Sequence, residues 1–167
     1  MAKRIDPFNK KNYGAVSSML TVRDVKAAVA FYQKAFGFTK RGIMNGPDGQ
    51  PIHAELRLRD TTLMVGPESP GMGMRGAKTL GGTPVTLYVL VDNADKVFAK
   101  AVKLGATALM PVRDEFWGDR CGVLADPEGH VWMIGTHIAE PTAQEMRRKM
   151  KEQMATASSE AAAAAPA

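Results

Sequence analysis

Shifted by 68 residues, the chain lies over its own pattern, and a repeat of that length restricts it to two copies of one small unit. Asp24 falls on Asp92, Val29 on Val97, Phe36 on Leu104, Gly37 on Gly105 and Thr39 on Thr107. Few residues are identical, yet the order of elements is the same. In the first copy, residues 15–22 read as a strand, Asp24 stands at a helix N-cap position, and Val25, Ala28, Val29, Tyr32 and Phe36 follow at helical spacing until Gly37 stops the helix. Strand-like runs at 38–44, 53–59 and 62–65 complete a β-α-β-β-β order. The second copy reads strand 84–91, helix 93–104, and strands 107–112, 120–124 and 131–136, with an Asp126-Pro127-Glu128-Gly129 turn before the last. The closing strands correspond at a shift of 69, Leu63-Met64-Val65-Gly66 against Trp132-Met133-Ile134-Gly135, which one residue of slippage in a hairpin explains.

The 167 residues suit one ordinary domain or two very small ones, and the repeat makes them one domain of two matched halves. The chain divides into an N-terminal arm (1–13), a first βαβββ unit (14–67), a glycine-rich linker (68–82) too flexible for regular structure, a second βαβββ unit (83–138), a C-terminal helix (139–154) and a mobile tail (155–167). Thr142-Ala143-Gln144-Glu145 is a capping box that opens the C-terminal helix. The net charge of +5 is dispersed: residues 1–13 carry +3, 14–67 carry +3, 68–82 carry +1, 83–138 carry −2, and 139–167 balance. Arg147, Arg148, Lys149 and Lys151 alternate with Glu145 and Glu152, the pattern of a solvated helix face rather than a nucleic-acid footprint. No apolar run approaches the about 20 residues that span a bilayer, and residues 1–12 lack the apolar core of a secretory signal. No nucleic-acid or membrane partner is expected, and the expected location is cytoplasmic. A single cysteine, Cys121, can form no internal disulfide; Arg120 beside it would favour a thiolate, although a small buried strand residue is the simpler reading.

The residues that distinguish the two copies are Thr21-Val22-Arg23-Asp24, Ala30-Phe31-Tyr32 and Phe36-Gly37-Phe38 in the first. In the second they are Phe116-Trp117-Gly118-Asp119-Arg120, Asp126-Pro127-Glu128-Gly129-His130 and Thr136-His137. With them, residues 15–138 resemble the glyoxalase/bleomycin resistance/dioxygenase superfamily, also called the vicinal oxygen chelate superfamily, and in particular its uncharacterised glyoxalase-like branch. The resemblance implies an α+β fold in which two tandem βαβββ units form a curved, cup-shaped mixed sheet, with helices on the convex side and a C-terminal helix beyond. Members of the family pair their units within a chain or exchange them between the chains of a dimer. A homodimer is expected, and the arrangement of units stays open at this point.

The same resemblance implies four metal-ligand positions. One lies seven residues before each helix-starting Asp, at Ser17 and Val85, and one on each closing strand, at Met64 and Met133. Divalent metals of these enzymes want imidazole or carboxylate there, whereas valine has no donor and thioethers are soft. The positions read as vacated, so no metal and no cofactor is expected.

Three histidines remain as candidates. His130 has the strand parity opposite to Met133, which sends it to solvent or to the helix side. His137 shares Met133's parity and reaches the rim, where capping or a backbone hydrogen bond is its simplest role. His53 and Glu55 face one side of their strand and form the one local acid/base pair, the catalytic candidates, against the plainer reading of a cross-strand polar pair. Alternation from the vacated positions would line the cup with Met19, Thr21, Leu87 and Val89 beside Met64 and Met133, and would put Tyr88 under the helix. At the rim, Trp117 would stack on a ligand and Arg120 would pair an anion, unless Asp119 neutralises it. The expected ligand-binding set is Met19, Met64, Leu87, Phe116, Trp117, Arg120 and Met133, an adaptable apolar wall with an aromatic edge. The expected function is metal-independent binding of a small amphipathic molecule in the cup. The alternative is a lyase, isomerase or dioxygenase using a non-standard site such as His53, Glu55 and His137.

Overall fold

In the computed structural model, the described residues are 14–163, with side chains described to residue 156. The expected arm at 1–13 and the last four residues of the tail lie outside them. Ser18–Val22 (β1) leads into Val25–Phe36 (α1), whose N-cap Asp24 accepts the Ala27 N–H at 2.9 Å. Thr39–Asn45 (β2), Pro51–Leu58 (β3) and Thr61–Pro67 (β4) complete the first sheet, ordered β1-β4-β3-β2 with β1 parallel to β4. After the single turn Ala77–Leu80 (α2), the second unit repeats the arrangement. Thr86–Leu90 (β5), Ala94–Lys103 (α3), Thr107–Asp114 (β6), Asp119–Ala125 (β7) and Val131–His137 (β8) give the order β5-β8-β7-β6, with β5 parallel to β8. Ala143–Ala163 (α4) follows. The α+β fold of two βαβββ units is the expected one, with the eight strands laddered as two four-stranded sheets. No described helix is long and apolar enough to cross a membrane.

Each sheet buries alternate residues against its helix and leaves an open face on the other side. Leu20, Val22, Ala54, Leu56, Leu63 and Val65 pack with α1, and Val89, Leu124, Trp132 and Ile134 belong to the same buried cluster, so one core spans both units. The units therefore pair within the chain. Aromatic rings from α1 and β8 make the join: the centroid of Trp132 lies 4.8 Å from that of Phe36 and 5.4 Å from that of Tyr32. Burying rings of this size removes about 150–250 Å² of apolar surface each, the largest single driving force available to so small a seam.

The Asp126–His130 turn clamps that seam. Asp126, buried, accepts from Tyr32 Oη at 2.7 Å, Trp132 Nε1 at 2.9 Å, and the backbone N–H groups of Glu128 and His130 at 2.9 and 3.0 Å. Glu128 Oε2 accepts the Arg23 N–H at 2.7 Å, and buried His130 lies with Nε2 3.0 Å from the Thr21 carbonyl, so that nitrogen carries the proton and donates. His130 is thus not solvent-facing, and it keeps the parity of the core residues Trp132 and Ile134. It satisfies a carbonyl of the opposite unit.

The register of the repeat needs one correction, and it reverses a face. Asn93, not Asp92, caps α3, accepting the Lys96 N–H at 2.9 Å, while Asp92 is exposed and pairs with Arg59 at 3.2 Å. In the ladders, Met19 stands opposite Met64 and Tyr88 opposite Met133, a shift of 69 throughout the first strands. The shift is 68 beyond the helix, where Thr39 opposite Arg57 answers Thr107 opposite Ala125, and α3 has 10 residues against the 12 of α1. Because side chains alternate with period two, the slip inverts β5. Leu87 and Val89 pack into the core, and Tyr88 is on the open face.

Two further expectations change. The linker at 68–82 is not free of regular structure: Pro70–Met72 forms a 3₁₀ turn, and α2 is pinned by the Lys78 N–H donating to the Glu128 carbonyl at 3.0 Å. Gly76 approaches the first unit so closely that a Cβ there would sit 2.7 Å from the Thr21 carbonyl oxygen, so its glycine serves packing rather than freedom. Nor does helix end at Met154. The capping box forms, with Glu145 Oε2 accepting the Thr142 N–H at 2.8 Å, and α4 runs on to Ala163 because alanine propagates a nucleated helix at little entropic cost.

Candidate functional site

The open face of the second sheet carries the densest group of chemistry-bearing side chains. Ladder register places Met133 opposite Val123, Gly135 opposite Cys121 and His137 opposite Asp119, with Met110 and Arg113 alongside on β6. The connection from β6 to β7 brings Phe116 and Trp117 to the edge of this face, their rings perpendicular with centroids 4.9 Å apart. α4 crosses above, and Gln153 Nε2 donates to Glu115 Oε2 at 2.9 Å. Between helix and sheet lies a cavity of about 300 Å³ walled by Met110, Phe116, Trp117 and Met133 and roofed by Met150 and Met154, with the Arg113–Glu115 ion pair and Gln153 at its edge. Four of the chain's 11 methionines meet here, a flexible and polarizable lining that conforms to irregular or planar ligands.

A polar hub braces one side. Asp119, mostly buried, accepts from Tyr88 Oη and, at 3.0 Å, from Trp117 Nε1, while its other oxygen lies 2.7 Å from His137 Nδ1. His137 Nε2 is 3.0 Å from Glu140. Burial opposes ionisation of Asp119, but the bonds from Tyr88, His137 and Trp117 outweigh it and hold the carboxyl below its ordinary value. The same bond to Asp119, with that to Glu140, holds the His137 imidazolium above its ordinary value. Burial, then the bond to Asp119, pushes the Tyr88 phenol up. The hub therefore fixes the angle of the Trp117 ring against the cavity.

A pH signature follows from the hub. The folded chain holds the His137 proton more tightly than the unfolded chain does, so this contribution is complete below the ordinary histidine value of 6.5 and is lost as pH rises through the raised folded value. The Asp119 contribution is complete above the ordinary carboxyl value of 3.8 and is lost as pH falls through the lowered folded value. Urea unfolding at about pH 5.5 and about pH 8.5 is expected to show wild type losing stability across that interval relative to His137→Gln. Parallel pH dependences in the two proteins would show that His137 is not a linked group.

Of the residues read from the sequence, Phe116, Trp117 and Met133 come together in this cavity. Met19 and Met64 face the open side of the other sheet, and Met19 lines a separate space at the seam with Leu80 and Val85. Leu87 packs against the core instead. Arg120 also lies on the helix side, where its guanidinium donates to both oxygens of Asp95 at 2.7 and 2.8 Å and to Asp114 at 2.7 Å. Those carboxylates hold it charged, and its partners are Asp95 and Asp114 rather than Asp119. His137 bonds to carboxylates rather than to backbone. His53 Nε2 and Glu55 Oε1 are 3.7 Å apart, beyond a hydrogen bond, and Glu55 also stands 4.0 Å from Arg41. Neither is joined to His137, whose ring nitrogens are both engaged on the other unit. Cys121 is a buried thiol pushed up to about 11, by burial first and then by Glu115 and Asp119.

With the register corrected, the four metal-ligand positions are Ser17, Met64, Thr86 and Met133. Two hydroxyls and two thioethers do not suit a divalent ion that wants imidazole or carboxylate. Among the described residues no three of His, Cys, Asp and Glu cluster as a ligand set. The donor chemistry does not fit the family's metal, and no step is derived through one.

Sequence reasoning missed the Asp119 hub and the roof from α4. Met150 and Met154 stand four residues apart on one helical face, which marks an apolar stripe but not the surface it covers.

Residues 14–134 match the model of the Glyoxalase/Bleomycin resistance protein/Dioxygenase superfamily. An uncharacterised protein of Mycobacterium tuberculosis is 41% identical over 142 residues, covering 83% of this chain and 84% of that protein. A glyoxalase/bleomycin resistance protein/dioxygenase family enzyme from Burkholderia phytofirmans superposes with a TM-score of 0.61 at 25% identity, over 73% of this chain and 97% of that one. A gene product of Arabidopsis thaliana superposes with a TM-score of 0.60 at 30% identity, over 73% and 98%. With its paired βαβββ units and a family match over most of its length, the chain belongs to the glyoxalase/bleomycin resistance/dioxygenase superfamily.

Proposed function

We propose that this protein binds a small amphipathic molecule, without a metal, in the cavity between the second sheet and α4. The observation that carries this reading is the lining itself: four methionines, a phenylalanine and a tryptophan around about 300 Å³, with one ion pair at the edge. Such a composition accepts a flat apolar body and offers Arg113 and Glu115 to a polar end. Ser17, Met64, Thr86 and Met133 supply neither imidazole nor carboxylate, which favours a binder over a Lewis-acid catalyst. We further propose that the protein acts as a homodimer, because Met19 and Met44 stand 50% and 60% exposed on the first unit's open face, apolar surface that a second copy would cover. Sedimentation velocity at micromolar concentration checks this: a single monomeric species would overturn it.

Anilinonaphthalene sulfonate, an aromatic with one anionic end, is the probe. Its titration is expected to quench tryptophan emission saturably. The quench should vanish in Trp117→Phe, since the other tryptophan, Trp132, is buried in the seam. Met133→Asp should weaken binding at least about tenfold by placing a charge in the apolar wall. Absence of saturable quenching would overturn the reading.

A further inference from the structure

We infer that α4 is a movable strap that closes on the occupant of this cavity, rather than a fixed part of its wall. The inference rests on the binding reading above. Its first support is the contrast between the two ends of the segment. The root is firm: the Ile138 and Ala139 N–H groups both donate to the Gly118 carbonyl, at 2.9 and 3.0 Å, and His137 bridges Asp119 to Glu140. Beyond Pro141 the helix starts afresh at its own capping box, so Glu140–Thr142 is the place where a root that cannot move joins a rod that can.

The second support is how little of the rod is covered. From Ala143 to Thr156, the side chains of Met146 and Gln153 are partly covered and the others are exposed. Gln153 reaches Glu115 at 2.9 Å, a latch onto the residue next to Phe116. The third support is what the exposed residues are. Met150 and Met154 roof the cavity yet remain 36% and 64% exposed, which is the position of two apolar side chains with a ligand-sized space beneath them. A helix whose side chains from Ala143 to Thr156 are mostly exposed opens at low free energy, and a ligand that touches both Met133 and Met150 would hold it shut.

Hydrogen exchange of the full-length chain, with and without saturating anilinonaphthalene sulfonate, tests this. Amides of residues 143–156 are expected to exchange at least about tenfold more slowly with the probe bound, while those of β1, at the far unit, are unchanged. The double substitution Met150→Ser with Met154→Ser, at positions already exposed and therefore compatible with folding, is expected to raise the probe's Kd at least about fivefold. Trp117 quenching with unchanged α4 exchange, or an unchanged Kd in the double variant, would overturn the strap and leave the binding site standing. No Trp117 response at all would overturn the binding reading and the strap with it.

Discussion

Replacing Asp126 with alanine is expected to lower the unfolding free energy by about 3–5 kcal/mol. The carboxylate accepts four hydrogen bonds in a buried setting, from Tyr32 Oη, Trp132 Nε1 and the N–H groups of Glu128 and His130. Truncation leaves those four donors without their acceptor in a buried setting, and each unsatisfied buried donor costs about 1–3 kcal/mol, partly relieved by local relaxation. Two of the donors sit on rings that join the units, so the loss falls on the seam and not only on the turn. Asp126→Asn keeps one accepting oxygen but turns an amide toward groups that also donate, and an intermediate loss is expected. Urea unfolding followed by Trp132 emission in a Trp117→Phe background reads both variants. A loss under about 1 kcal/mol for the alanine variant would mean that the donors find other partners and that the turn does not clamp the units.

Gly118→Ala is expected to cost about 2–4 kcal/mol and to loosen the root of α4. The backbone at Gly118 has φ +100°, where side chains other than hydrogen are strained, and a Cβ there would collide with the Ala139 carbonyl oxygen and lie 2.7 Å from the Pro141 ring. Both obstacles belong to the segment that Gly118 itself holds through its carbonyl. That segment must move. Gly49→Ala separates the two causes, since Gly49 has φ +75° with open space around it and should show the conformational cost alone, about 1 kcal/mol. Equal losses in the two variants would show that the contact with Ala139 and Pro141 is not a constraint.

Much of the architecture was legible because it is written in local rules. The apolar stripe of α1, the caps at Asp24 and Thr142 and the turn at Asp126 each depend on residues within about one helical turn, and each element formed where its pattern lay. The face of β5 was not legible, because the repeat offers both 68 and 69 and a strand inverts on one residue. The ladder partners of Tyr88 decide that, and they are distant in sequence. Arg120 illustrates the same limit for charge. Its carboxylate partners, Asp95 and Asp114, lie 25 and 6 residues away, whereas the neighbouring Asp119 points to the other face.

By itself the sequence determined the α+β class, the two matched units and the family resemblance, since these rest on periodicity, caps and residue type. Only the tertiary structure decided that the units pair within one chain, that Phe116, Trp117 and Met133 share a wall, and that α4 roofs it. Those outcomes depend on which buried faces and unsatisfied donors meet across long separations in the chain, and no local pattern carries that information.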